Sequence, residues 1–78
     1  MTYDHYQETD ELIKMLSDSS LEQYAETLQK AMDESSTGTE IFMALRWNLD
    51  KILSEPTIKG IISTKALKLR SEIDKALS

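Results

Sequence analysis

The amino-acid sequence predicts an all-α fold, a small antiparallel (up-and-down) four-helix bundle in which residues 1–78 form a single domain. The chain contains only two glycines and one proline, which leaves little room for a β fold with several hairpin turns. Apolar residues recur at helical spacing along almost the whole chain. Three short breaks interrupt this spacing, and because short connections make consecutive helices antiparallel, the four helices are expected to run up and down.

The first helix is predicted over residues 5–17 and the second over residues 20–33. Between them, the hydroxyl group of Ser19 or Ser20 can accept a free backbone N–H from the first turn of the second helix, so a serine is expected to cap it. Both helices have a single apolar face, which is typical of a helix that packs on a core. That face contains Tyr6, Thr9, Leu12, Ile13 and Leu16 in the first helix, and Leu21, Tyr24, Ala25, Leu28, Ala31 and Met32 in the second.

The third helix is predicted over residues 40–54. Before it, Gly38 can adopt a positive φ and Thr39 can cap the helix. Pro56 ends it, because the residue before a proline avoids helical dihedral angles. The apolar face of this helix consists of Ile41, Phe42, Leu45, Leu49, Ile52 and Leu53.

The fourth helix is predicted over residues 63–77, with a start near Ser63 or Thr64. A start at Pro56 is the alternative, since proline fits the first turn of a helix, and it would place Gly60 inside the helix. The apolar face of the fourth helix consists of Ile62, Ala66, Leu69, Ile73, Ala76 and Leu77.

The charge of the chain is divided unevenly between its two halves. Residues 1–40 contain ten acidic and two basic residues, a net charge of −8, whereas residues 41–78 contain four acidic and seven basic residues, a net charge of +3. Two interpretations follow. The acidic first and second helices lie beside the basic fourth helix and help to set the arrangement of the bundle, or the acidic half is a surface for a basic partner.

Two apolar residues of the third helix lie away from its apolar face. Met43 and Trp47 are one helical turn apart and are flanked by Arg46 and Asp50. Aromatic residues, Met and Arg are enriched where proteins bind one another, so these four residues are candidates for a partner-binding site. The alternative is that this face packs on another helix or on the N-terminal tail of the same chain, and the two interpretations differ in whether Trp47 is exposed.

A second candidate surface lies on the second helix. Glu22, Glu26, Gln29 and Asp33 recur at intervals of three and four residues, which places them on one side of the helix beside its apolar face. This set, the acidic ridge, can receive a cationic partner. The alternative is an ordinary solvated helix face that is partly neutralised by an ion pair between Glu26 and Lys30.

The sequence offers no pattern of catalytic or cofactor-binding residues. Residues 33–38 imitate the start of a calcium-binding loop, but Ala44 occupies the position of the bidentate glutamate. His5 is the only histidine and the chain has no cysteine, so the side chains of a typical zinc site are missing. We therefore expect a protein that is not an enzyme and that has neither a metal site nor a cofactor.

The sequence does not indicate a membrane or a nucleic acid as the partner. No apolar run approaches the ~20 residues that span a bilayer, and the first residues lack the basic and apolar pattern of a secretory signal, so a cytoplasmic location is expected. The basic residues of the fourth helix are interrupted by Glu72 and Asp74. Because the molecule as a whole is acidic, it would also repel a nucleic acid.

These features favour a small acidic module that binds another protein, with a basic protein as the expected partner. In size and charge the chain resembles helical immunity proteins, and this resemblance implies a bacterial inhibitor of the immunity or antitoxin type that blocks a basic toxin. Two alternatives stay open. One is a self-associating structural protein, a homodimer in which Met43 and Trp47 bury against a second copy. The other is a regulator whose rows of carboxylates imitate the phosphates of DNA.

Overall fold

In a computed structural model, residues 2–78, the part of the chain that the structure describes, form four α-helices and no β-strand. The helices are α1 (His5–Asp18), α2 (Glu22–Glu34), α3 (Gly38–Leu53) and α4 (Gly60–Leu77). α1 packs on α2 and α4, and α3 packs on the same two helices, so the helices form a closed ring in chain order. This arrangement confirms the predicted all-α four-helix bundle.

Side-chain contacts between the helices fix their relative direction. Tyr24, near the start of α2, donates its hydroxyl hydrogen to Glu55, which follows the end of α3. Arg46 of α3 donates to Asp74 of α4, whereas Asp50, one turn further along α3, pairs with Arg70, one turn earlier in α4. The start of α2 therefore meets the end of α3, and α3 and α4 run in opposite directions, as in an up-and-down bundle.

The core consists of the predicted apolar faces of all four helices. Burying a leucine or isoleucine side chain contributes about 1.5–3 kcal/mol, and most of the buried side chains are of these two types. Tyr6 and Ala76 are exposed, although both belong to the predicted faces, because they lie in terminal turns at the end of the core. The buried apolar residues are Leu12, Leu16, Ala25, Leu28, Ala31, Leu45, Leu49, Ile52, Ile62, Ala66, Leu69 and Ile73.

The expected serine cap of α2 is wrong, because the serines end α1 instead. Ser20 has a φ of 62°, the left-handed conformation that often terminates a helix. The backbone N–H of Ser20 donates to the carbonyl of Ser17 at 3.3 Å, and that of Leu21 donates to the carbonyl of Leu16 at 2.8 Å. These two bonds form a Schellman motif. α2 then begins at Glu22, after an N-cap residue, Leu21, whose side chain makes no capping bond.

The start of α3 also differs from the sequence prediction. Thr37, and not Thr39, is the cap, since its hydroxyl oxygen accepts the backbone N–H of Glu40 at 3.2 Å. A threonine three residues before a glutamate is the sequence pattern of a capping box. Gly38 therefore lies inside the first turn of α3, and its φ is not positive, so the expected left-handed glycine is wrong. The helix ends at Leu53, one residue before its predicted end and ahead of Pro56.

α4 begins at Gly60, three residues before the predicted start and four after the alternative start at Pro56. Lys59 is the N-cap residue and makes no side-chain cap. A glycine costs least in the first turn of a helix, where few backbone bonds depend on it. Among residues 2–78, none of the helices combines the length and the apolar character needed to cross a membrane.

Candidate protein-binding surface

Trp47 and Met43 lie on the outer side of α3. The side chain of Trp47 is 61% exposed and that of Met43 is 52% exposed. This face is therefore not packed on another helix or on the described part of the N-terminal tail, and the alternative based on such packing is wrong. An exposed tryptophan with a methionine one turn away has the composition of an interaction surface.

The indole ring of Trp47 already contacts one cation within the chain. The ammonium nitrogen of Lys51, one turn further along α3, lies 3.5 Å from the ring centroid. This is a cation–π contact, which contributes about 0.5–1 kcal/mol at an exposed site. The contact shows that a face of the ring is accessible to a positive group.

Trp47 also forms one wall of a groove between α2 and α3, with a volume of about 400 Å³. Small residues form part of its lining, among them Ala31 of α2 and Ala44 of α3. Glu34, at the end of α2, and Glu40, in the first turn of α3, bring two carboxylates to it. We call this feature the α2–α3 groove.

The other two residues predicted for the Trp47 site serve the bundle itself. Arg46 donates to Asp74 of α4 at 2.9 Å, and Asp50 pairs with Arg70 of α4. Arg70 also donates to Asp74 at 2.8 Å. The hydrogen bond from Arg46 lowers the pKa of Asp74, and the bond to Asp50 raises the pKa of Arg70. Arg46 and Asp50 thus hold α3 on α4, and the structure does not bring them into the α2–α3 groove.

The acidic ridge of α2 is exposed and has no basic partner. Glu22, Glu26 and Asp33 make no ion pair among the described residues, and the predicted pair between Glu26 and Lys30 does not form. The amide of Gln29 donates to the carboxylate of Asp33 at 3.1 Å. Four acids and one base leave α2 with a net charge of −3.

α1, in contrast, is paired with α4. The ammonium group of Lys65 lies 2.6 Å from the carboxylate of Glu8 and 3.1 Å from that of Glu11. Burial acts to lower the pKa of Lys65, but its bonds to both carboxylates raise the pKa overall. The hydrogen bond from Lys65 lowers the pKa of Glu11. The two halves of the charge distribution therefore meet between α1 and α4, whereas the charge of α2 stays open to solvent.

His5 lies in an aromatic cluster at one end of the bundle. Its ring centroid is 5.1 Å from that of Tyr3 and 4.8 Å from that of Phe42, and its Nε2 atom lies 3.3 Å from the carbonyl oxygen of Glu72. Within residues 2–78, no three histidine or carboxylate side chains come together as a metal ion would require. The surroundings of His5 are those of a packed aromatic ring.

Sequence reasoning did not find Glu34 and Glu40 as neighbours of Trp47. Both lie outside the periodic acidic ridge, and they approach one another only because residues 35–37 turn the chain between α2 and α3. The one available signal was their position on either side of a predicted short break. Comparisons of the chain with known protein families, with curated proteins and with solved structures found no match.

Proposed function

We propose that this chain is a small, acidic, non-enzymatic module that binds a basic partner protein and blocks part of its surface. The observation that carries this proposal is the exposure of Trp47 beside a helix that has four acids and one base. Buried aromatic anchors account for a large share of binding free energy at protein interfaces. A tryptophan that is open in the free protein can become such an anchor in a complex.

The acidic ridge supports the choice of a basic partner. Its carboxylates are not neutralised within the described residues, so they attract positive charge from solution. Complementary charge of this kind raises association rates and suppresses wrong partners more than it increases affinity. In a bacterial inhibitor of the immunity or antitoxin type, the ridge would steer a basic toxin towards the anchor formed by Trp47 and Met43.

Affinity capture of the tagged chain from a lysate of its source organism tests the proposal. The tagged wild type, Trp47→Ala and Leu67→Ala are compared at about 50 mM and about 500 mM salt, because exposed charges are largely screened at the higher value. Leu67 is the matched control, since it is an exposed apolar residue of α4, away from the α2–α3 groove.

We expect one basic protein to be retained by the wild type and by Leu67→Ala at low salt, and to be released at high salt. Trp47→Ala is expected to retain it weakly or not at all. If Trp47→Ala retains the basic protein as well as the wild type does, Trp47 is not an anchor of the complex. Retention of acidic proteins only, or salt-independent retention, would contradict a partner selected by charge.

Self-association is the second candidate function, since Met43, Trp47, Ile61 and Leu67 are all exposed apolar residues. In a homodimer, burial of such residues would supplement the core of a short chain. Sedimentation equilibrium over a range of concentrations separates the two candidates. A monomer at micromolar concentration supports the binding module, and a thermal midpoint that rises with protein concentration supports the dimer.

A further inference from the structure

We infer that the α2–α3 groove receives an arginine side chain of the basic partner, with its guanidinium stacked on Trp47 and paired with Glu34 and Glu40. This inference rests on the proposed function and assigns the place and the chemistry of the main contact. The groove is then the site of the main contact, whereas the acidic ridge attracts the partner from a longer distance.

The walls of the groove are complementary to one long cationic side chain. Its lining includes the small residues Ala31 and Ala44, and its only basic lining residue is Lys30. Glu34 and Glu40 are exposed and make no ion pair within residues 2–78. A groove that joins an open aromatic ring to two free carboxylates matches the apolar stem and charged head of an arginine.

The contact between Lys51 and Trp47 is an independent indication that the ring binds cations. The chain places an ammonium group 3.5 Å from the ring centroid in its own free state. Arginine is better suited to this ring than lysine, because its planar guanidinium stacks on an aromatic face and donates to carboxylates in the same plane. A partner's arginine in the groove can therefore bind the ring more strongly than Lys51 does.

The other grooves of the bundle do not fit a cation equally well. The groove between α1 and α4 is lined by Lys65 and Lys68, and its one carboxylate, that of Glu8, is already paired with Lys65 at 2.6 Å. The cavity beside Tyr3 also contains Lys68, which is paired with Glu72 at 2.8 Å. Among these three surfaces, only the α2–α3 groove has two unpaired carboxylates and an exposed aromatic ring.

Fluorescence titration of the full chain tests the inference, because Trp47 is the only tryptophan. The probes are acetylated and amidated hexa-arginine and hexa-lysine peptides, which have the same charge. We expect hexa-arginine to change the Trp47 emission and to bind about three- to fivefold more tightly than hexa-lysine, the range expected of a cation–π contact. Equal affinities for the two peptides would overturn the arginine assignment.

A pair of matched variants then locates the site. Glu34→Gln/Glu40→Gln and Glu22→Gln/Glu26→Gln each remove two negative charges from exposed positions, but only the first pair lies in the groove. We expect the groove variant to lose about fivefold in hexa-arginine affinity and the ridge variant less than about twofold, since distant exposed charges are screened. Equal losses of hexa-arginine affinity in the two variants would contradict the groove as the binding site.

These outcomes differ from those that test the proposed function. If a basic partner is captured but both double variants lose the same affinity for hexa-arginine, the proposed function stands and the assignment of the groove fails. If hexa-arginine binds tightly in the groove but no basic partner is captured, the assignment of the groove stands and the proposed function fails. Circular dichroism of each variant checks that the helices are retained, and because all four glutamates are exposed, we expect unchanged spectra.

Discussion

The ammonium group of Lys51 lies 3.5 Å from the centre of the Trp47 indole ring, so the largest exposed aromatic side chain of the bundle is partly covered by a residue of its own helix. Lys51 does not line the α2–α3 groove, but its ammonium group competes with a partner's cation for the same electron-rich ring. The free protein therefore presents a tryptophan that is already in contact with one cation.

The first prediction concerns this competition. Lys51→Met removes the competing ammonium group and is expected to raise the affinity for hexa-arginine by about threefold. Lys59→Met is the control, since it removes the same charge from an exposed residue that, unlike Lys51, makes no cation–π contact among residues 2–78. Its effect should be less than about twofold. Equal gains for both variants would indicate a change of net charge only, and the titration of Trp47 fluorescence measures both.

The second prediction separates the exposed anchor from the core. Trp47→Ala is expected to lower the free energy of unfolding by at most about 1 kcal/mol, the upper value for an exposed cation–π contact such as the one with Lys51. Leu49→Ala, two residues further along α3 and fully buried, should lower it by about 2–5 kcal/mol because it leaves a cavity. Urea denaturation followed by circular dichroism measures both. A loss above about 2 kcal/mol for Trp47→Ala would assign the ring a structural role.

The third prediction concerns two positions where residue type and backbone conformation disagree. Ser20 has a positive φ, and Gly60 does not. Ser20→Gly is expected to stabilise the chain by about 0.5–1 kcal/mol, because glycine adopts the left-handed conformation without strain. Gly60→Ala should add about 0.4–1 kcal/mol, since it restricts the unfolded chain and its Cβ meets nothing within 4 Å. Thermal unfolding of each variant tests these signs, and a lowered midpoint for either would contradict the backbone described here.

The fourth prediction is a loss of stability in acid. The hydrogen bond from Lys68 lowers the pKa of Glu72 below its ordinary value of 4.5, and the hydrogen bond from Arg46 lowers the pKa of Asp74 below its ordinary value of 3.8. The folded state therefore binds fewer protons than the unfolded state. The stabilisation from these ion pairs is complete at a pH above the ordinary pKa values of the two carboxyl groups. It is lost as the pH falls through their lowered pKa values in the folded state.

Asp74→Asn tests this pH dependence. The variant should have a lower thermal midpoint than the wild type at about pH 7, and the difference should shrink as the pH falls through the lowered pKa of the Asp74 carboxyl group. Asp10→Asn is the control, because Asp10 is an exposed carboxylate of α1 that makes no ion pair in the described chain. A difference for Asp74→Asn that persists undiminished in acid would contradict the ion-pair origin of the effect.

The periodicity of the apolar residues predicted the four helices and the core faces correctly, because burial of one face determines where a helix forms. The helix starts were less predictable. Ser19 and Ser20 suit a cap of α2, but the chain uses Ser20 to end α1, and the same polar residue suits both roles. The sequence leaves open whether Gly60 precedes the last helix or lies inside it, and the structure makes it the first residue of α4, where a glycine costs little.

Which side chains of α3 are free to form a surface depends on the neighbouring helices. Spacing on α3 places Arg46, Trp47 and Asp50 near one another, but only the neighbouring helix decides which of them are free. α4 presents Asp74 and Arg70 to two of the three, so only Trp47 remains available. The α2–α3 groove depends on how two helices align, which the pattern of a single helix does not contain.

The ring order of the helices has a consequence for how the chain reaches its fold. Three of the four helix pairs in contact are consecutive in the chain, and only α1 with α4 joins distant segments. Proteins whose contacts are mostly local in sequence fold quickly, and helical bundles fold within about microseconds to milliseconds. The closure of α4 on α1, with Lys65 between Glu8 and Glu11, is then the step with the greatest loss of chain entropy. The contacts of α2 with α1 and α3, including the wall that bears Trp47, therefore need no long loop to close, whereas the contact of α1 with α4 does.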